Sequence, residues 1–141
     1  MITVTELHEQ NHKIGELAKI LCYLFHDREM CDSNITYELF KSYVEKFDEH
    51  MKNNKQIYSI MLSKNEKSVR QMVERFMEGE RTIKRVFKDY TDKWVKRGLH
   101  IGDHAAFVKE TEEVFDLVWQ RIQAESEQLY PMYGGYREGK R

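Results

Sequence analysis

The sequence predicts an all-α protein, an antiparallel up-down-up-down four-helix bundle. The first reason is punctuation: one proline and seven glycines in 141 residues are too few breakers for a many-stranded fold. The second is periodicity, because apolar residues recur at three- and four-residue steps through long segments. The third is that those segments are joined by short connections, which favour antiparallel neighbours. A charged fraction of 33% beside 40% hydrophobic residues suits helices with one buried face. The length suffices for a single core.

The first helix is expected from about Thr5 to His26, with Leu7, Ile14, Leu17, Leu21, Leu24 and Phe25 on one face. Asp27 to Asn34 breaks the period and offers Asp32, Ser33 and Asn34 as N-caps. The second helix reaches about Leu62, with Leu39, Tyr43, Phe47, Ile57 and Met61 as its apolar stripe. Ser63-Lys64-Asn65-Glu66 reads as a capping box that opens a third helix through Val69, Met72, Val73, Phe76, Ile83, Phe87, Tyr90 and Trp94. Lys96, Arg97 and Gly98 supply a cationic last turn and a left-handed C-cap. Asp103 caps a fourth helix through Phe107, Val114, Val118, Ile122 and Leu129, and Pro131 is expected to stop it. Residues 1–131 thus read as one domain and 132–141 as a flexible, glycine- and base-containing C-terminal tail.

Charge and composition narrow the partners. Lys and Arg number 23 against 24 Asp and Glu, a net charge of −1, so no global field draws nucleic acid. The cationic stretch of Lys84, Arg85, Lys88, Lys93, Lys96 and Arg97 is interrupted by acids and reads as a solvated face. No apolar run approaches the roughly 20 residues that span a bilayer, so no membrane role is expected. The opening Met1-Ile2-Thr3-Val4-Thr5-Glu6 does not resemble a signal peptide. Cys22 and Cys31 fit neither a disulfide framework nor a zinc site. Two reduced thiols in a cytoplasmic protein are the expectation.

The informative residues are polar ones on apolar faces. At about 100° per residue, His50 and Asn54 fall inside the stripe of the second helix. Asn11 flanks the stripe of the first, Glu80 lies between Phe76, Ile83 and Phe87, and Glu125 follows Arg121 by one turn on the fourth. His8 and His12 project towards the outer face, and His26, His100 and His104 read as surface residues at helix ends or in a connection. A buried carboxylate needs a cation, a proton or a donor, because desolvating it alone costs several kcal/mol. Asn11, His50, Asn54, Glu80, Arg121 and Glu125 are therefore expected to form a buried polar cluster. It is either a structural network or a binding site.

These residues carry a resemblance. The stretch Phe40-Lys41-Ser42-Tyr43-Val44-Glu45-Lys46-Phe47-Asp48-Glu49-His50-Met51-Lys52-Asn53-Asn54 resembles the second helix of hemerythrin-like, cation-binding four-helix domains, which ends in a His-x-x-x-Glu pair. Asn11-His12-Lys13-Ile14-Gly15-Glu16-Leu17 resembles that family's first-helix ligand region. Arg121-Ile122-Gln123-Ala124-Glu125, continuing to Tyr130-Pro131, is similar to its fourth-helix ligand segment. The resemblance implies a four-helix bundle with a di-iron site between the helices, but only His50 and Glu125 match as written. Asn54 stands at a bridging carboxylate position and Arg121 at a histidine position. Asn11, with His12 beside it, stands at another histidine position. Met72, Val73, Phe76 and Met77 occupy the region where the third helix should offer a histidine. Two matching ligands cannot hold two irons, and a guanidinium repels cations.

The expected function is thus a non-enzymatic binding or regulatory domain whose di-iron site is partly or wholly lost, with no cofactor or a non-canonical metal, iron if any. A protein partner is part of that expectation. An alternative is an oxygen, nitric oxide or redox sensor, or a metal store, using His50, Glu125 and His12, with His8 or Glu80 as further ligands. A further alternative is a partner-binding regulator. The phrase Ile57-Tyr58-Ser59-Ile60-Met61-Leu62 is similar to one in small helical bundles that sequester the bacterial housekeeping sigma factor. No phosphate loop or nucleophile motif supports an enzyme. His50 projects inward, contrary to what histidine phosphotransfer requires.

Overall fold

Helix α1 (Val4–His26) begins where Thr3 and Glu6 cap each other. The Thr3 hydroxyl accepts from the Glu6 N–H at 3.1 Å, and the Glu6 carboxylate accepts from the Thr3 N–H at 3.0 Å. This reciprocal arrangement satisfies donors that the first turn leaves orphaned. The computed structural model describes residues 2–96 and 98–137. Among them are three further long helices, α2 (Asn34–Leu62), α3 (Lys67–Trp94) and α4 (His104–Ala124), and a short α5 (Tyr130–Arg137). They contain no strand, only an isolated bridge between Val95 and Leu99. No described helix is long and apolar enough to cross a membrane.

Ser33 caps α2 and Asp103 caps α4, each accepting from a backbone N–H three residues on. On α2 the buried face includes Phe40, Tyr43 and Phe47, while the expected Leu39 is only half-buried. The expected capping box at the α2–α3 corner does not form. The Ser63 hydroxyl donates instead to the Ile60 carbonyl at 2.5 Å, closing α2. Asn65 then takes φ 56°, a left-handed turn that asparagine tolerates better than most residues, and α3 starts after Glu66 without a side-chain cap bond. The far end of α3 also differs from expectation. The helix closes at Trp94, and Gly98 sits beyond it at φ 141°, where a side chain would be strained. Arg97, expected in the last turn, lies outside the described residues.

Pro131 does not end the chain's helical path, contrary to the stop expected there. After α4 the backbone widens into a π-helical turn over Glu125–Leu129, and the Tyr130 N–H bonds to the Glu125 carbonyl five residues back. Proline has no N–H to donate and is tolerated in a first helical turn, so α5 carries it just inside its start. The expected tail is therefore helical as far as Arg137, and Tyr133 is fully buried. Residues 138–141 lie outside the described residues.

The buried hydrophobic residues separate into two groups. One includes Ile14, Leu21, Phe25, Phe40, Tyr43, Phe47, Phe87, Tyr90, Phe107 and Phe115. The other includes Leu7, Ile57, Tyr58, Met61, Val69, Val73, Phe76, Leu129, Tyr130 and Tyr133. Each group draws on all four long helices or, in the second, on the π turn and α5 that continue α4. In sequence, Asn11, Asn54 and Glu80 fall between the two groups' members on their helices, and His50 and Arg121 each stand one residue before the first group's last member there, so a polar layer lies where the two cores meet.

Candidate buried ion-pair site

Glu125 is the hub of that layer. It is the first residue of the π turn, and none of its surface is exposed. One oxygen, Oε1, accepts from His50 Nε2 at 2.7 Å and from the Tyr130 hydroxyl at 2.9 Å. The other, Oε2, accepts from Asn54 Nδ2 at 2.8 Å and from Arg121 Nε at 2.8 Å. The acceptor capacity of the carboxylate is thereby filled. Burial by itself pushes the Glu125 carboxyl up. The hydrogen bond and charge of His50, followed by those of Arg121, outweigh it and bring the pKa down to about 2.

His50 is held from both ends. Its Nδ1 faces Gln10 Oε1 at 3.0 Å, while Nε2 faces Glu125 and lies 3.1 Å from the Tyr130 hydroxyl. Each ring nitrogen thus faces a side-chain oxygen, one from α1 and one from the π turn, which fixes the orientation of the ring. Asn54 follows His50 by one helical turn, so both side chains reach the same carboxylate from one face of α2.

Arg121 sits one turn before Glu125 on the same helical path and is 7% exposed. Its Nη1 donates to the Phe76 carbonyl at 2.7 Å, its Nη2 donates to the Tyr58 hydroxyl, and its guanidinium lies 4.8 Å from the centre of the Phe76 ring. Burial opposes its charge, but the attraction of Glu125 prevails and raises its pKa. Gly79 makes room for it: a Cβ there would stand 3.1 Å from Nη1. Burial pushes the Tyr58 hydroxyl well above the phenol range, which keeps it a proton-bearing partner.

All six residues expected in the cluster are buried. Of these, His50, Asn54, Arg121 and Glu125 are directly hydrogen-bonded together. Asn11 joins at the edge, its Nδ2 lying 3.5 Å from the Tyr130 hydroxyl. Glu80 stays apart, pairing with Lys84 at 3.2 Å and reaching the network only through its field on Tyr58 and Arg121. His12, a candidate ligand, is not brought to the layer. Its side chain is 74% exposed and stands 3.7 Å from Glu16. His8 is exposed and presents its ring edge-on to Tyr130. Among the described residues, no three His, Cys, Asp or Glu side chains gather closely enough to hold a metal ion.

Gln10, Tyr58, Gly79 and Tyr130 are members that the sequence pattern did not single out. Tyr58 follows Asn54 by one turn, and Gly79 interrupts a long helix where glycine is costly; both were signals of a close approach. Gln10 had no comparable mark, and Tyr130 was marked only as part of the Tyr130-Pro131 end of the fourth-helix segment; the roles of both depend on neighbouring elements. No protein-family model, curated protein or solved structure matches this chain.

Proposed function

We propose that this chain is a hemerythrin-like four-helix domain whose metal-binding interior has become a self-satisfied ion-pair network, and that it acts as a non-enzymatic binding or regulatory protein. The observation carrying this reading is the saturation of Glu125 by His50, Asn54, Arg121 and Tyr130. Both groups that match the family's ligands are spent on each other. A guanidinium, which cannot release its proton, stands where the resemblance would put an imidazole. That donor set does not fit two metal ions. An up-down-up-down course for the helices agrees with the composition of the cores. The second core takes the early residues of α1 and α3 with the late residues of α2 and of the α4 path, and the first core takes the converse. Support for a protein partner comes from exposed apolar side chains: Ile20 is 50% and Tyr23 81% exposed, both on α1.

The test is metal content with a gain-of-function control. Protein purified without a tag should carry substoichiometric iron, manganese and zinc, and Fe²⁺ should leave its melting temperature unchanged. The double substitution Arg121→His with Asn54→Glu should raise Fe²⁺ affinity, because it replaces a cation and an amide with two ligands. Stoichiometric metal in the native protein would defeat the proposal.

A further inference from the structure

Two openings lie along the seam between α2 and α3, the two longest helices, one of about 480 Å³ and the other of about 250 Å³. On α3 the first is walled by Met77, Glu80, Arg81 and Lys84. The second is walled by Lys84, Phe87, Lys88 and Thr91, each seven residues further on. The α2 side repeats in the same way. Lys55, Tyr58 and Ser59 line the first opening, and Val44, Phe47 and Asp48 line the second, each eleven residues earlier. The openings are thus about two turns apart along α3 and about three along α2. Steps of three, four and seven residues are those by which one helix receives the side chains of another.

The openings have apolar walls and a charged rim. Leu62 and Met77, both half-buried, line the first, and methionine reshapes easily around an incoming side chain. Charge is unevenly placed. The first opening has three cations, Lys55, Arg81 and Lys84, against one acid, Glu80, which is buried and already paired with Lys84 at 3.2 Å. Lys55 is exposed and has no ion-pair partner among the described residues. Arg81 meets Glu78 in an exposed pair, a contact worth little and readily exchanged. At the second opening Lys84 and Lys88 are balanced by Asp48 and Asp92.

We infer that the α2–α3 seam docks an amphipathic helix of a partner protein, with apolar anchors two to three turns apart in the two openings and acidic residues flanking the anchor in the first. The repeated helical steps on both walls select a helix, and the surplus of cations at one end selects its acidic character and its direction. The inference rests on the reading of this chain as a binding or regulatory protein and names the surface and the partner's chemistry. Metal content tests the interior, so the two can fail independently.

The probe is a capped helical peptide with leucines every three and four residues on one face and glutamates flanking them. Its control carries lysines in place of the glutamates. Binding is followed by the anisotropy of a dye on each peptide, and the contact surface by the methyl signal of Met77 in NMR spectra. The acidic peptide should bind saturably, about tenfold more tightly than the basic one, should weaken as salt rises, and should shift the Met77 signal. Lys55→Glu combined with Arg81→Glu should weaken the acidic peptide about tenfold and strengthen the basic one, the order expected for reversing two exposed charges. The gain for the basic peptide also shows that the variant is folded. Absence of saturable binding by the acidic peptide would overturn the inference, as would a preference for it that survives the double charge reversal. So would concentration-dependent self-association that shifts Met77, since it would assign the seam to a second copy of the chain.

Discussion

Glu125 shows how a charge can be kept in a dry interior. Taking the carboxylate out of water is unfavourable, and it is offset only because hydrogen-bond donors converge on both oxygens. Removing the hub would leave the buried Arg121 without its counter-charge and His50 and Asn54 without their acceptor, so Glu125→Ala should destabilise the protein by about 3–5 kcal/mol in urea denaturation. The pH dependence has a definite sign. The folded-state pKa is depressed to about 2 from the usual 4.5. The stability it contributes is therefore fully present above about pH 4.5 and is lost as pH falls towards 2. Urea midpoints measured across that window should fall with acidification in the native protein, and the fall should be shallower in Glu125→Gln. The positions of His50, Asn54, Arg121 and Glu125 were legible because helical phase alone turns them inward. Their pairing was not, since it depends on side chains from different helices.

Among the elements, the end of α4 departs most from sequence expectation. Local rules treat Pro131 as a stop, and they are sound for an α-helical ladder in which every N–H must donate. Here the π turn absorbs the proline, and packing holds the segment beyond it. The Tyr133 ring is fully buried in the second core and its hydroxyl donates to the Ile2 carbonyl at 2.8 Å. If this segment were a loose tail, Tyr133→Ala would be silent. The structure predicts instead a loss of about 3–5 kcal/mol, the range for deleting a large core aromatic. Hydrogen exchange should quicken around Leu7, Met61 and Val73 in that variant. The corner after α2 has a similar lesson. The Ser63 hydroxyl could close the helix before it or cap the one after it, and a sequence pattern cannot say which it chooses.

Across the whole molecule, the polar layer lies between two apolar cores and costs desolvation in exchange for a defined register. Replacing it as a unit should therefore be far milder than breaking it. The triple variant His50→Leu, Arg121→Met, Glu125→Leu should be more stable than Glu125→Ala, because apolar residues of similar volume often substitute for a buried ion network without net loss. Chemical denaturation of the two variants side by side checks this. A triple variant less stable than the single one would mean that the layer's charges stabilise the fold outright.

The sequence by itself determined the helices, their buried faces and the identity of the residues facing inward, because three- and four-residue periodicity is a local property of one chain segment. It also carried the resemblance to hemerythrin-like domains on which the proposed function rests. Only the tertiary structure decided that His50, Asn54, Arg121 and Tyr130 converge on one carboxylate, that Gly79 opens space for a guanidinium, and that helix continues past Pro131. Those outcomes depend on the distance and register between helices, which are set by packing across the interior rather than by any one segment's own preferences.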